Sequence, residues 1–258
     1  MNLVLHMQSR GLGFLLKFLR LPARARGAAL ALLLLPGAAR AQQVLLRAEV
    51  ADDTLTALMG PNRLYFGHFY AAGGWVAGAS ALGAPGRAGF SSMEGQLGGR
   101  LKRRFTQTVA LVADVRYAYL RYSFDQTAAK TFPSTGLHRA ERLALHQVQA
   151  EIGLRLNAGR RGNTVGSYLD LLAWGGWVAA TSRTTDDNPP PGGAAAVSTT
   201  ETGLPYLRRW TGGAGIRLGF DRYALMARRR LVNALRPGVA PPGADLPPWV
   251  LGIEIGLF

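Results

Sequence analysis

The sequence predicts an all-β protein, a closed antiparallel up-and-down β-barrel of eight strands. Three observations predict this fold. Apolar and polar residues alternate over segments of about ten residues or more, the connections between these segments are alternately long and short, and turn residues separate them, with 33 Gly and 14 Pro in 258 residues. Such strands are longer than the roughly five or six residues usual in soluble sheets. The pattern therefore favours a barrel over a soluble sandwich.

Eight segments carry the alternation. They span residues 63–79, 89–104, 106–123, 140–157, 165–182, 207–220, 222–233 and 248–258. The last is the clearest, because Leu251, Ile253 and Ile255 alternate with Gly252 and Glu254. We expect the apolar face to point outward and the polar face inward, so that an arginine costs more at Ile253 than at Glu254.

The connections indicate the orientation. Four are long, at 80–88, 124–139, 183–206 and 234–247, and the three between them are short, including 158–164. Long loops are typical of the extracellular side of an outer-membrane barrel and short turns of the periplasmic side. The Pro/Gly/Ala-rich tracts at 186–196 and 237–243 predict mobile loops.

The amino terminus predicts export. Basic residues precede an apolar run at 28–35, and Ala39-Arg40-Ala41 forms a small-residue cleavage site before Gln42. We therefore expect a signal peptide at 1–41, an N-terminal periplasmic segment or an extra strand at 42–62, and the barrel domain at 63–258.

Composition excludes several kinds of chemistry. The chain has no cysteine, so disulfides, thiolate metal sites and a cysteine nucleophile are excluded. The net charge of +15 would suit nucleic acid, but export and the lack of a binding module argue against that partner. No apolar run reaches the roughly 18–20 residues of a membrane-spanning helix, which leaves a closed barrel as the spanning structure.

Aromatic residues are predicted to form two belts at the membrane interfaces. The belt near the long loops consists of Trp75, Phe90, Tyr117, Tyr119, Tyr122, Trp174, Trp177, Trp210 and Trp249. The belt near the short turns consists of Tyr65, Phe66, Phe105, Tyr168, Phe220, Tyr223 and Phe258.

Charged residues of both signs fall on the inward face. They are Glu94, Arg100, Lys102, Asp114, Arg116, Glu151, Arg155, Asp170, Arg217 and Glu254. Unpaired buried charge is costly, so we expect an ion-pair network inside the barrel. An eight-stranded interior is just wide enough for side chains to fill it, which predicts a plugged barrel and no wide pore.

Together, the signal peptide, the eight alternating strands and the long and short connections resemble small bacterial outer-membrane β-barrels of the class that includes the OmpA membrane domain and OmpX. The resemblance implies the outer membrane of a Gram-negative cell, lipid and lipopolysaccharide contacts, and the barrel-assembly machinery as a partner during biogenesis. Those barrels end with a phenylalanine in phase with the apolar face. Here Phe258 is out of phase, because Leu257, Ile255 and Ile253 hold that face.

Arginine near the long loops is a candidate for phosphate recognition. Arg208, Arg209, Arg228, Arg229 and Arg230 are predicted to form a lipopolysaccharide-binding rim. Solvation of the rim is the alternative explanation.

No catalytic or metal motif occurs, and no cofactor is expected. His146 could serve as a base, but no serine follows it, and the other histidines, His68 and His138, have no ligand spacing. We therefore expect a non-enzymatic protein that interacts through its extracellular loops with an unidentified protein partner. An outer-membrane lipid-modifying enzyme and a soluble periplasmic ligand-binding barrel remain as alternatives.

Overall fold

The computed structural model describes residues 58–78, 89–128, 130–159, 162–188, 193, 196–239 and 245–258. The predicted signal peptide and most of the 42–62 segment lie outside these residues. Within the described part of the chain, no helix is long and apolar enough to cross a membrane.

The strands form one antiparallel sheet. They are β1 Tyr65–Ala77, β2 Gly89–Arg104, β3 Val109–Phe124, β4 Ala140–Asn157, β5 Ser167–Asp187, β6 Val197–Thr202, β7 Trp210–Phe220, β8 Tyr223–Arg230 and β9 Trp249–Leu257. Each of the eight barrel strands pairs with its neighbour along the chain, β5 skips β6 to pair with β7, and pairing of β1 with β9 closes the ring. The eight-stranded up-and-down barrel predicted from the alternation is confirmed.

The short turns lie at one end of the barrel (the turn end) and the long connections at the other (the loop end). The tightest turn joins β7 to β8 through Asp221, which has a positive φ of 52°. Aspartate tolerates this conformation better than most residues, as two-residue hairpin turns require. Alternate connections therefore differ in length because they belong to opposite ends of the barrel.

Residues 183–206 were predicted to be a loop, and that prediction is wrong for its two ends. β5 continues to Asp187 and pairs with β6, from Ser182 opposite Thr202 to Asp187 opposite Val197. Threonine and valine favour strands, which explains why this segment forms a hairpin beyond the barrel rather than a loop. We call residues 182–187 of β5 together with β6 the arm. The Pro/Gly/Ala tract between them lies mostly outside the described residues, as does most of 237–243.

The N-terminal segment that precedes β1 is described from Leu58 onward. Met59 forms an isolated bridge with Tyr65, and Asn62 donates its side-chain amide to the Gly162 carbonyl at 2.9 Å. The Lys102 ammonium contacts the Pro61 carbonyl from inside the barrel. Residues 58–62 therefore pack against the turn end and contain no named strand.

Candidate functional sites

The outer wall of the barrel is apolar. On β9, Leu251, Ile253 and Ile255 are between 44% and 46% exposed, whereas Glu254 is 2% exposed. The other strands also expose their apolar residues, since Phe69, Leu97 and Leu225 are each more than 60% exposed. A soluble protein would bury these side chains. Exposed apolar residues around the whole ring, with charges inside, are typical of a membrane-spanning barrel.

Aromatic rings border this wall at both ends. Near the loop end, Trp75, Tyr117, Trp177, Trp210 and Trp249 are exposed. Near the turn end, Phe105, Phe220 and Tyr223 are exposed. These residues occupy the belts expected at membrane interfaces.

Four predicted belt residues face inward instead. Phe66, Tyr122 and Tyr168 are buried, and Trp174 lies against the Arg228 guanidinium at 4.4 Å inside the barrel. These four residues lie on the same face of their strands as the charged residues. Two of them, Tyr168 and Trp174, lie beneath guanidinium groups, as does the buried ring of Tyr70. Tyr119 and Tyr65 are partly buried, and the side chain of Phe90 lies outside the described residues.

Charged side chains fill the middle of the barrel. All ten residues predicted to face inward are at most 5% exposed. Arg100 donates to both oxygens of Glu254, at 2.5 and 2.8 Å, and to Asp114 at 3.1 Å. These contacts join β2 to β9 and β3 across the interior.

A second set of contacts continues the network towards β4, β5 and β7. Arg116 donates to Asp114 at 3.0 Å and to Glu151 at 2.7 Å. Arg217 also reaches Glu151, at 2.7 Å, and donates to Asp170 at 3.0 Å. Arg155 holds Asp170 through two bonds of 2.7 and 2.8 Å. We call these residues, with Arg100 and Glu254, the lumen network.

Two further residues belong to this region: Gln149, which sequence reasoning missed, and Arg228, which the alternation along 222–233 directs to the lumen or its mouth. Gln149 accepts from Arg116 and Arg228, at 2.8 and 2.7 Å. Arg228 also pairs with Glu94 at 3.4 Å and is only 2% exposed. Gln149 lies two residues from Glu151 on the same strand, so the alternation could have identified it. Arg228 is part of the lumen rather than of the rim.

Apolar clusters close the interior above and below the network. At the loop end, residues from the connections pack with residues from the strands: Phe132, Leu204, Leu207, Leu235 and Leu246 join Val76, Leu120, Tyr122, Phe124, Leu143, Leu145, Val178 and Val250. At the turn end, Phe66, Val165, Tyr168 and Ala224 form a smaller cluster. An internal cavity beside Arg228 has a volume of about 20 Å³, which is room for about one water.

Phe258 extends the closure at the turn end. Its ring packs against Phe66 at 5.3 Å and His68 at 5.2 Å. The Phe258 side chain is nevertheless 38% exposed, so it borders the turn-end cluster without being part of it.

The remaining predicted rim arginines are separated. Arg230 pairs with Asp245 at 3.0 Å and donates to the Leu246 carbonyl at 2.7 Å, so its side chain is occupied. Arg208 donates to the Leu235 carbonyl at 3.1 Å. Arg229 is exposed beside Trp249, and Arg209 is exposed at the start of β7. Of the five predicted rim arginines, Arg209 and Arg229 are the two with exposed side chains beside the outer wall.

The arm has its own buried charge cluster. Glu141 is 1% exposed, accepts from Lys130 at 2.5 Å and from Arg183 at 2.7 Å, and ties β4 to β5 beyond the barrel. Burial opposes the charged form of Arg183, but its hydrogen bonds to Glu141 and Glu201 and the charges of these two carboxylates together outweigh burial and raise the pKa of Arg183. Nearby, burial raises the pKa of Tyr206 to about 12. The pKa shifts therefore keep Arg183 charged and Tyr206 neutral near pH 7.

The histidines are held in unrelated surroundings. His138 pairs with Asp187 at 2.7 Å in the arm, and Nδ1 of His146 contacts the Tyr117 hydroxyl at 2.5 Å on the outer wall. The described residues contain no group of three or more His, Asp or Glu side chains arranged to hold a metal ion.

These features define the protein as a closed, eight-stranded, antiparallel up-and-down β-barrel with an apolar outer wall and a charged interior. No protein-family model matches the chain, and no curated protein matches it significantly. Among solved structures, the chain is similar to Ail, the attachment invasion locus protein of Yersinia pestis, in a crystal structure with the heparin analogue sucrose octasulfate. That similarity covers 74% of this chain and 97% of Ail, with 11% identity and a TM-score of 0.33. The class assignment of this chain rests on its own strand pairing and surface.

Proposed function

We propose that the protein is an integral outer-membrane β-barrel of a Gram-negative cell that acts through its loop-end surface. The apolar outer wall is the observation that supports this proposal. Lipid is the solvent in which a ring of exposed Leu, Ile, Val and Phe is stable around buried ion pairs. The predicted signal peptide supplies the route across the inner membrane, and the barrel-assembly machinery would insert the barrel.

Transport is not supported as the main activity. Apolar clusters lie on both sides of the lumen network, and the network itself occupies the middle of the interior. The soluble ligand-binding alternative is not supported either, because the interior cavity beside Arg228 measures about 20 Å³, whereas small-molecule sites measure roughly 300–1,000 Å³. The lipid-modifying alternative requires a nucleophile hydrogen-bonded to His146, and among the described residues no serine or threonine hydroxyl makes a hydrogen bond to that histidine.

The arm is the element that we propose for interaction with a protein partner. All six residues of β6 are exposed, and β6 pairs on one edge only among the described residues. Arg209 and Arg229 are the two rim arginines that we retain as candidates for lipopolysaccharide contact, because both are exposed beside belt tryptophans.

Folding into vesicles tests the proposal. We expect purified protein to refold into phosphatidylcholine vesicles, to migrate as a heat-modifiable band, and to keep a trypsin-resistant barrel while the arm is cleaved. In planar bilayers it should give no porin-sized conductance. A protein that is monodisperse without detergent and does not insert into vesicles would contradict the membrane assignment. A stable large conductance would contradict the closed lumen.

A further inference from the structure

A polar pocket interrupts the apolar wall where the arm leaves the barrel. The register between β4 and β5 shifts between His146 and Gln147, and Ala179 is left without a partner. Such a bulge bends the strand and re-aims its side chains. The pocket of about 280 Å³ is lined by His146, Ala179, Ala180, Thr181, Ser182, Thr202, Gly203 and Arg209.

The pocket lies at the height of the loop-end aromatic belt. Trp177 precedes the bulge on β5 and is 43% exposed, and Trp210 follows Arg209 and is 70% exposed. On the same side of the bulge as Trp177, Val148 stands opposite that tryptophan and, with Ile152, continues the apolar wall, with 48% and 55% exposure. Aromatic belts mark the level of lipid headgroups. A headgroup in the pocket would therefore have its acyl chains along Val148 and Ile152.

The lining suits an anion. It contains an arginine, a histidine and three hydroxyl side chains but no carboxylate. No carboxylate among the residues the structure describes pairs with Arg209, whose guanidinium makes one long bond of 3.5 Å to the Ala179 carbonyl. Most other arginines near the loop end already make ion pairs or hydrogen bonds within the protein. The Arg209 guanidinium therefore has N–H donors available for a ligand.

The polar groups around Arg209 are oriented by neighbours. The Tyr117 hydroxyl contacts Nδ1 of His146, which leaves Nε2 for another partner. Thr181 accepts from the Leu204 backbone amide at 2.9 Å, and Ser182 stands opposite Thr202 in the arm. The Ser182 and Thr202 hydroxyls can donate to the same oxygens that Arg209 would bind.

We propose that this pocket binds the phosphate group of an outer-leaflet lipid headgroup, with Arg209 as the principal contact. The proposal rests on the membrane assignment made above. His146 and Ser182 line the pocket together, but no hydrogen bond joins them among the described residues, so the pocket has the contacts for binding and lacks those for acyl transfer.

Native mass spectrometry of the full-length folded barrel in dodecyl maltoside micelles tests the site, since this detergent carries no phosphate. The micelles are titrated with phosphatidic acid, with diacylglycerol, which lacks the phosphate, or with inorganic phosphate. We expect phosphatidic acid to bind and diacylglycerol to bind far less. Arg209→Gln should weaken phosphatidic acid binding by about tenfold or more, because hydrogen bonds to a charged group contribute about 1.5–3 kcal/mol.

Arg103→Gln is the matched control. Arg103 is also an exposed arginine beside a belt aromatic, Phe105, but it lies at the turn end and lines no such pocket. This control should change binding less than twofold, and Arg209→Lys should restore part of the affinity lost in Arg209→Gln.

Several results would overturn the site. Equal losses in Arg209→Gln and Arg103→Gln would mean general charge attraction. Equal binding of diacylglycerol would mean an apolar groove, and equal competition by inorganic phosphate would assign the pocket to the free anion. Release of fatty acid would mean an enzyme. A wild-type chain without a heat-modifiable folded band would contradict both the membrane assignment and the pocket. A folded barrel whose lipid binding does not depend on Arg209 would contradict the pocket alone.

Discussion

Glu254 offers the sharpest test of the lumen network. Its carboxylate accepts from Arg100 at 2.5 and 2.8 Å, and its side chain is 3% exposed. Glu254→Gln keeps the shape and removes the charge. Breaking a buried ion pair by removing one partner costs about 3–5 kcal/mol. Because Arg100 keeps Asp114 at 3.1 Å, we expect the lower end of that range, about 3 kcal/mol.

Arginine at the same position should be worse. The alternation alone predicts that Glu254→Arg disturbs folding less than Ile253→Arg, because position 254 faces the lumen. The structure changes this expectation, since the new guanidinium would lie beside Arg100 and Arg217 in place of their shared partner. We therefore expect Glu254→Arg to lose at least as much as Ile253→Arg, for which burial in lipid costs about 2–4 kcal/mol.

Urea titrations of the barrel in vesicles, followed by heat-modifiable mobility, measure these changes. A double-mutant cycle with Arg100→Met and Glu254→Leu isolates the pair, because Asp114 retains Arg116 at 3.0 Å in the double variant. We expect the double variant to be more stable than the sum of the single losses predicts, by about 0.5–3 kcal/mol. Additive losses, a loss below about 1 kcal/mol for Glu254→Gln, or full tolerance of Glu254→Arg would refute the network as a stabilising unit.

Three further predictions concern the ends of the barrel and the arm. A cysteine at Thr200 should react with an impermeant maleimide on whole cells while one at Gly162 should not, because the loop end is expected to face outward; the opposite pattern would reverse the topology. Gly219→Leu should lower the urea midpoint markedly, because a Cβ atom at this glycine would lie 2.0 Å from the Tyr168 ring, and an unchanged midpoint would show that the ring moves freely. Glu141→Gln should make the arm more sensitive to trypsin without changing the urea midpoint of the barrel, so a large fall in that midpoint would show that the arm and the barrel unfold together.

The strands and their inward and outward faces could be predicted from the sequence because the alternation is local. Every residue of β9 from Trp249 to Leu257 has the orientation that its parity predicts. The same local rule places Glu94, Arg100 and Glu254 on one face. The belt prediction was wrong for Phe66, Tyr122, Trp174 and Tyr168, because it used position along the strand, whereas the alternation puts these rings on the face of the charges.

The sequence by itself determined eight long strands, each with an apolar face and a polar face, because each of these is a property of neighbouring residues. Only the closed barrel decided which charges pair, since Arg100 and Glu254 are 154 residues apart and meet when β1 joins β9. Closure of the barrel also brings Leu207 and Leu235, which belong to separate connections, together in the loop-end cluster. The pocket at Arg209 needs a bulge between β4 and β5, and no local pattern specifies a bulge, because it arises from a mismatch in the register of two strands.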